Sequence, residues 1–461
     1  MSSDAPTGAK GSAGGPGNDP ATGGDAAAGD GTAGDGTGRG ARPAALWTRD
    51  FRLYFTLRTV SLFGDAMMPI AVTIGVLHAG YGASGVGYAF ASWSAPVALL
   101  VLFGGVLADR YTPRLMMAVS DVARVGTQSL LAVVFLTGAG HFWQIVVLQI
   151  AAGAATATFQ PGVASVLPQV AEDVQRANGV LRVAEALVTL VGPALAGVLA
   201  ATAGSGTVLA VDAGTFAVSA LCLAALRTAG PGPAADGGAM MRNLVRGWHE
   251  FRSRTWLWSV ILIWSFYGLL VFGPAQPLTG TVIVGEHGAA AFGVVSSVFG
   301  AGAVGGGLIA MRFRPRRPLF TGACVMASFA ACPLVGVFRL PVPVICAGWL
   351  LAGVGFAVWN VLWLTTLQTH VPADVLNRVY AYDVAGSTLI LPVGRVLSGP
   401  AAGLFGLRHV LAAATVFALV ATACMVAVPA VRSLRRDPAD PTPSSPDPLD
   451  GDGRVLTPGV L

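Results

Sequence analysis

The chain has 461 residues, 54% of them apolar and only 11% charged, with a formal net charge of +5. That balance excludes a water-solvated globule as the whole molecule. The single lysine, Lys10, lies in Ala-Lys-Gly without the glycine that a phosphate-cradling Walker loop places before it, which excludes ATP hydrolysis by this polypeptide.

Residues 1–42 are Gly, Ala, Asp, Ser, Thr and Pro with almost nothing large and apolar, so a disordered tail is expected there. They contain no apolar core of a cleaved secretory signal. A first half, 43–226, carries apolar runs at 52–77, 84–107, 115–137, 142–167, 178–201 and 207–226. Each approaches or exceeds the roughly 20 residues that a helix needs to cross hydrocarbon. The stretch 227–255 opens with Pro231 and glycines and ends with Met241, Leu244, Val245, Trp248 and Phe251 at helical spacing, with arginines between them. It predicts an amphipathic helix on the membrane surface, linking two halves. The second half, 256–436, has runs at 256–283, 289–311, 318–338, 341–368, 378–403 and 407–431, and an Asp- and Pro-rich tail follows at 437–461. The expected fold is therefore an all-α membrane protein of twelve transmembrane helices in two pseudo-symmetric six-helix halves.

The arginines of the body fall almost entirely on one predicted side, with Arg339 and Arg408 on the other. Loops rich in arginine stay in the cytoplasm, which places both termini there and makes the chain a multi-pass protein of the cell membrane. An internal repeat accompanies this pattern. Gly105–Arg114 aligns with Gly307–Arg316, Val170–Val174 with Val371–Val375, and Gly192–Ala194 with Gly399–Ala401, at nearly constant spacing. Duplicated halves of this kind are a transporter architecture. The five cysteines, Cys222, Cys324, Cys332, Cys346 and Cys424, all lie in apolar runs without metal-ligand spacing and read as small hydrophobes. No metal, cofactor or nucleic-acid partner is expected, and no nucleophile and base constellation suggests an enzyme.

The segment Gly105-Val106-Leu107-Ala108-Asp109-Arg110, with Arg114 after it, resembles motif A of the major facilitator superfamily in the loop between the second and third helices. Ser61-Leu62-Phe63-Gly64-Asp65, Phe159-Gln160-Pro161, Gly192-Pro193-Ala194 and Asp212-Ala213-Gly214-Thr215-Phe216 look like its macrolide-efflux and siderophore-export branch. The resemblance covers 47–436 and implies a monomeric drug:proton antiporter acting on a small molecule. It also implies that Asp109 faces the start of the eleventh helix, around Arg378 to Asp383, and locks an outward-open arrangement. Gly105 would let backbones approach, and Asp109, Arg110 and Arg114 would form charge-assisted hydrogen bonds. Two departures stand out: Val188 occupies the position of an antiporter-motif glycine, and Met311 replaces the acid in the second copy.

Ionisable groups inside hydrocarbon are costly, so each is a functional candidate. Arg58 and Asp65 lie seven residues apart, on one helical face, and Asp65 is deep enough to exchange a proton, which makes it the first candidate for coupling or substrate contact. Arg182 with Glu185, and Asp121 with Arg124, are i, i+3 pairs that can neutralise themselves; the second pair reads as structural, whereas Glu185 stays a coupling candidate. Asp212 is assigned to packing near the outer end of its helix. Asp383 and Arg395 are too far apart to pair within one helix, and each needs a partner elsewhere. Trp264, Tyr267, Trp359, Asn360 and Trp363 could form an aromatic cavity wall for a bulky amphipathic ligand. The expected function is proton-coupled export of a drug-like or natural-product molecule. Import or uncoupled diffusion, and a transport-inactive scaffold or receptor, remain open alternatives.

Overall fold

A computed structural model describes residues 46–101, 112–138, 140–171, 173–227, 252–371 and 373–435. The expected tails, the linker helix over 241–251 and the motif residues Gly105, Asp109 and Arg110 lie outside the described residues, as does the side chain of Arg378.

Every described segment of regular structure is helical. In chain order these are α1 (Arg49–His78), α2 (Gly82–Val101), α3 (Pro113–Thr137), α4 (Phe142–Val170), α5 (Val174–Ala203) and α6 (Ser205–Ala225). After the linker come α7 (Thr255–Tyr267), α8 (Gly273–Arg312), α9 (Pro318–Met326), α10 (Ala331–Leu334), α11 (Val342–His370), α12 (Ala373–Thr388), α13 (Leu391–Phe405), α14 (Leu407–Ala427) and α15 (Pro429–Ser433). Among the described residues, nine segments are long and apolar enough to cross a membrane, and one of these, Thr255–Arg312, is a double-length run of 58 residues. Gly288, at φ 83° and ψ 174°, reverses the chain inside that run.

Two ends of the bundle differ in how the chain turns. At the end remote from residues 46 and 435, called here the far end, positive-φ glycines lie in the turns: Gly80, Gly82, Gly138, Gly204, Gly288 and Gly406. Gly204 and Gly406 each join two helices as single residues, a reversal that a side chain would strain. The near end carries side-chain caps. Thr48, Thr112 and Asp173 accept hydrogen bonds from the backbone N–H of Phe51, Leu115 and Arg176, which supplies partners for open helix starts. Arg114 donates to the carbonyls of Leu223 (2.9 Å) and Ala224 (2.7 Å), closing the C-terminus of α6, and Arg49 reaches Ala225.

Three predicted helices are interrupted, each just before a proline. A π-helical turn, Gly268–Phe272, separates α7 from α8 and precedes Pro274; a 3₁₀ turn, Ala327–Ala330, precedes Pro333; a break at Leu389 and Ile390 precedes Pro392. Proline has no N–H for the carbonyl one turn back, so the ladder widens, tightens or opens there. The run expected over 318–338 is therefore two helices joined by that 3₁₀ turn, and the one expected over 378–403 is α12 and α13.

The helices of 49–225 pack on one another, as do those of 255–433, and the groups are joined mainly by α5 on α8 and α2 on α13, with α2 and α1 also touching α8. Small residues make this seam. A Cβ on Gly293 would lie 2.5 Å from the carbonyl oxygen of Pro193, and Gly300 abuts Thr189; Gly87 abuts Arg395 and Ser398. These contacts lie between the far end and mid-depth. Toward the near end, α12 packs instead against α7 of its own group. The seam is thus closed at the far end.

Candidate functional site

One buried cation gathers the acids of the first helix group. Arg124 on α3 is 2% exposed, and its Nη2 donates to Asp121 Oδ1 at 2.8 Å. Its Nη1 lies 3.5 Å from both carboxylate oxygens of Asp65 on α1. The guanidinium carbon sits 4.6 Å from the Phe159 ring centroid and 4.1 Å from that of Phe216, so α4 and α6 close over it with aromatic faces. Ser219 Oγ donates to Asp121 Oδ2 at 2.5 Å.

Asp212 on α6 completes the cluster. It is fully buried, accepts from the Thr215 hydroxyl, and leaves Oδ2 without a partner. Gly64 makes the approach possible, because a Cβ there would fall on the Asp212 carboxylate and the Thr215 hydroxyl. Gly64→Ala is expected to lower the unfolding midpoint of the purified protein through an overpacking cost of about 1–3 kcal/mol. A midpoint equal to that of the unmodified chain would rule out the close contact.

Asp65 and Asp121 therefore share one guanidinium, while Asp212 is buried against Gly64, next to Asp65, with no ion pair among the described residues. The sequence assigns Asp212 to packing, and the rotation of α6 against α1 is what sets it against Gly64. Asp65 is the member that is not sealed, its side chain being 37% exposed. The cluster can balance one negative charge with Arg124, and a proton or another cation is needed for more.

The other candidates are placed differently. Arg58 lies two turns toward the near end and forms no ion pair among the described residues. Glu185 pairs with Arg182 at 2.9 Å on an open face, where the pair neutralises itself. Asp383 is buried and accepts from Trp363 Nε1 at 3.0 Å. Arg395, 8% exposed, donates to Gln276 Oε1 at 2.8 Å.

The aromatic wall is a packed column in this conformation. Trp359 stacks between Trp264 (5.7 Å between centroids) and Trp363 (5.9 Å), and Tyr267 lies 5.4 Å from Trp264. Tyr267, Trp359 and Trp363 are buried by these contacts, so they do not present open faces to a ligand here. Asn360 is exposed and donates back to the carbonyl of Phe356.

Two recesses lie away from the acid cluster. One of about 540 Å³ is at the far end, between residues 75–81, 134–145 and 203–206. The other, about 260 Å³, is at the near end beside Met311, Arg314 and His370.

Comparison with known proteins agrees with the helical architecture. The chain is 22% identical over 395 residues to the uncharacterized MFS-type transporter YvqJ of Bacillus subtilis, covering 82% of this chain and 92% of that protein. It is 25% identical over 356 residues to the multidrug efflux pump Tap of Mycobacterium tuberculosis (74% and 84%). It is 20% identical over 405 residues to macrolide efflux protein A of Streptococcus pyogenes (85% and 98%). The crystal structure of the nucleoside transporter NupG superposes with a TM-score of 0.65 at 11% identity, covering 83% of this chain and all of that one. The model of the Major Facilitator Superfamily matches residues 54–390. With that match across most of its length, the chain belongs to the major facilitator superfamily and is a membrane transporter rather than an enzyme.

Proposed function

We propose that this transporter exports drug-like or natural-product molecules by proton-coupled alternating access, with Asp65 as the coupling carboxylate. The observation that carries the reading is the cluster itself: one buried guanidinium pairs with Asp121, which is sealed, and with Asp65, which is partly exposed. Proton binding at Asp65 would loosen its attraction to Arg124 and so change the balance between two arrangements of the halves. The efflux names of two relatives, Tap and macrolide efflux protein A, support export.

In this reading twelve spans form two halves, and the arginine-rich near end faces the cytoplasm. The far-end seal then corresponds to an inward-open state. Motif A, through Gly105, Asp109 and Arg110, locks the opposite state. Arg114 serves that lock indirectly, by fixing the end of α6.

The test uses inside-out membrane vesicles with an imposed proton gradient and two dyes, ethidium and fluorescein. The unmodified chain should accumulate at least one of them in response to the gradient. Asp65→Asn should lose the gradient-driven component while keeping gradient-independent exchange. Unchanged proton dependence in Asp65→Asn would refute the coupling role, and movement of neither dye by the unmodified chain would refute drug-type export.

A further inference from the structure

Arg395 lies where the two interrupted helices of the second group meet. It follows the break at Leu389 and Ile390 by about one turn, and Gln276 follows the π-helical turn Gly268–Phe272 in the same way. Gly273 and Gly394 bring the two breaks into backbone contact, since a Cβ on Gly273 would lie 2.6 Å from Gly394 Cα. Arg395 is ten residues from the far end of α13 at Phe405, a depth of about 15 Å at 1.5 Å per residue. That is close to the middle of a hydrocarbon layer roughly 30 Å thick.

The cation has only neutral partners. Nη2 donates to Gln276, Nη1 donates across the seam to the carbonyl of Phe90 at 3.4 Å, and Nε has no partner. No ion pair involves it among the described residues, and the segments 82–101, 255–285 and 384–436 contain no acidic residue at all. The contrast with Arg124, which has acids of its own chain on two helices, is complete. A charge at mid-depth without a counter-ion is expensive, and at this depth lipid headgroups are out of reach. The bond to Phe90 is also the one that parting of α2 from α13 must break, which would free one face of the guanidinium as the seam opens. Broken helices at mid-depth are where transporters point positive helix N-termini at anionic groups, and Arg395 adds a full positive charge to that setting. The aromatic column begins alongside: Phe272, next to Gly273, stacks on Trp264 at 5.6 Å.

We infer that Arg395 is an anion-recognition residue for the carboxylate of an amphipathic aromatic substrate, with Gln276 orienting it. This rests on the transport reading above and adds the charge class of the substrate.

The experiment compares fluorescein with its methyl ester, which differs by one carboxylate, in counterflow by the unmodified chain, Arg395→Gln and Arg395→Lys in proteoliposomes, with ethidium as a reference. Charge-assisted hydrogen bonds predict a preference for the acid over the ester that falls about tenfold or more in Arg395→Gln and survives largely in Arg395→Lys. Equal loss of acid and ester transport in Arg395→Gln would overturn the inference and leave Arg395 as a latch of the seam. Ethidium transport without preference for the acid would overturn it and leave export standing. Ester transport that depends on chloride, with that dependence lost in Arg395→Gln, would overturn it in favour of a resident inorganic anion. If none of the three dyes moves, both the inference and the export reading fall.

Discussion

Arg124→Ala is expected to destabilise the purified transporter by about 3–5 kcal/mol, the cost of leaving a buried acid without its cation. Asp121 is fully buried, and Arg124 is its ion-pair partner at 2.8 Å. Its removal also empties the space between Phe159 and Phe216 and leaves Asp121 bonded to Ser219 alone. The double variant Arg124→Ala with Asp121→Ala should recover part of the loss, because it removes one of the stranded charges; a double-mutant cycle isolates that coupling. Thermal unfolding in detergent measures all three. An Arg124→Ala midpoint close to that of the unmodified chain would show that the acids are not held by this cation.

Gly293→Val is expected to shift the molecule away from the far-end-closed arrangement. The seam there is built from backbone against backbone: a Cβ on residue 293 would lie 2.5 Å from the Pro193 carbonyl oxygen and 2.8 Å from Gly197 Cα. Backbone cannot move aside as a flexible side chain can, so the closed form bears an overpacking cost of about 1–3 kcal/mol. An arrangement with α5 and α8 parted does not bear that cost, and its population should rise by about 5- to 150-fold. Spin labels at Ala201→Cys and Gly285→Cys, introduced without the five native cysteines, report the distance across the far end. A longer distance in Gly293→Val is the expected outcome, and an unchanged distribution would contradict the seam described here. Transport should also slow, since a transporter that cannot close one side cannot complete its cycle.

The two expectations differ in how visible their causes are in the sequence. Asp121 and Arg124 are an i, i+3 pair, and their bond at 2.8 Å follows from helical geometry alone. The approach of Asp65 to the same guanidinium, and of Asp212 to Gly64, does not, because both depend on how α1 and α6 are rotated about their own axes. Membrane helices are apolar nearly all round, so periodicity carries little information about which face meets which neighbour. Gly197, Gly293 and Gly300 line the seam, but nothing local in the sequence shows their pairing across it. The interruptions of the second group illustrate a further limit. Pro274, Pro333 and Pro392 stand within apolar runs, and proline is tolerated within membrane helices and marks no boundary reliably. The aromatic residues show the reverse problem: their spacing identifies one helical face, while only packing decides whether that face is open or stacked.

The amino-acid sequence alone determined that this chain is a helical membrane protein of the major facilitator type, because long uncharged runs have no other stable solution in hydrocarbon and motif A is carried by contiguous residues. Tertiary structure alone decided that Asp65 and Asp121 share Arg124, that Arg395 has no acid partner among the described residues, and that the seam is closed at the far end. Contacts between residues far apart in the chain depend on helix rotation, and those rotations are settled by the packing of whole surfaces rather than by any local pattern.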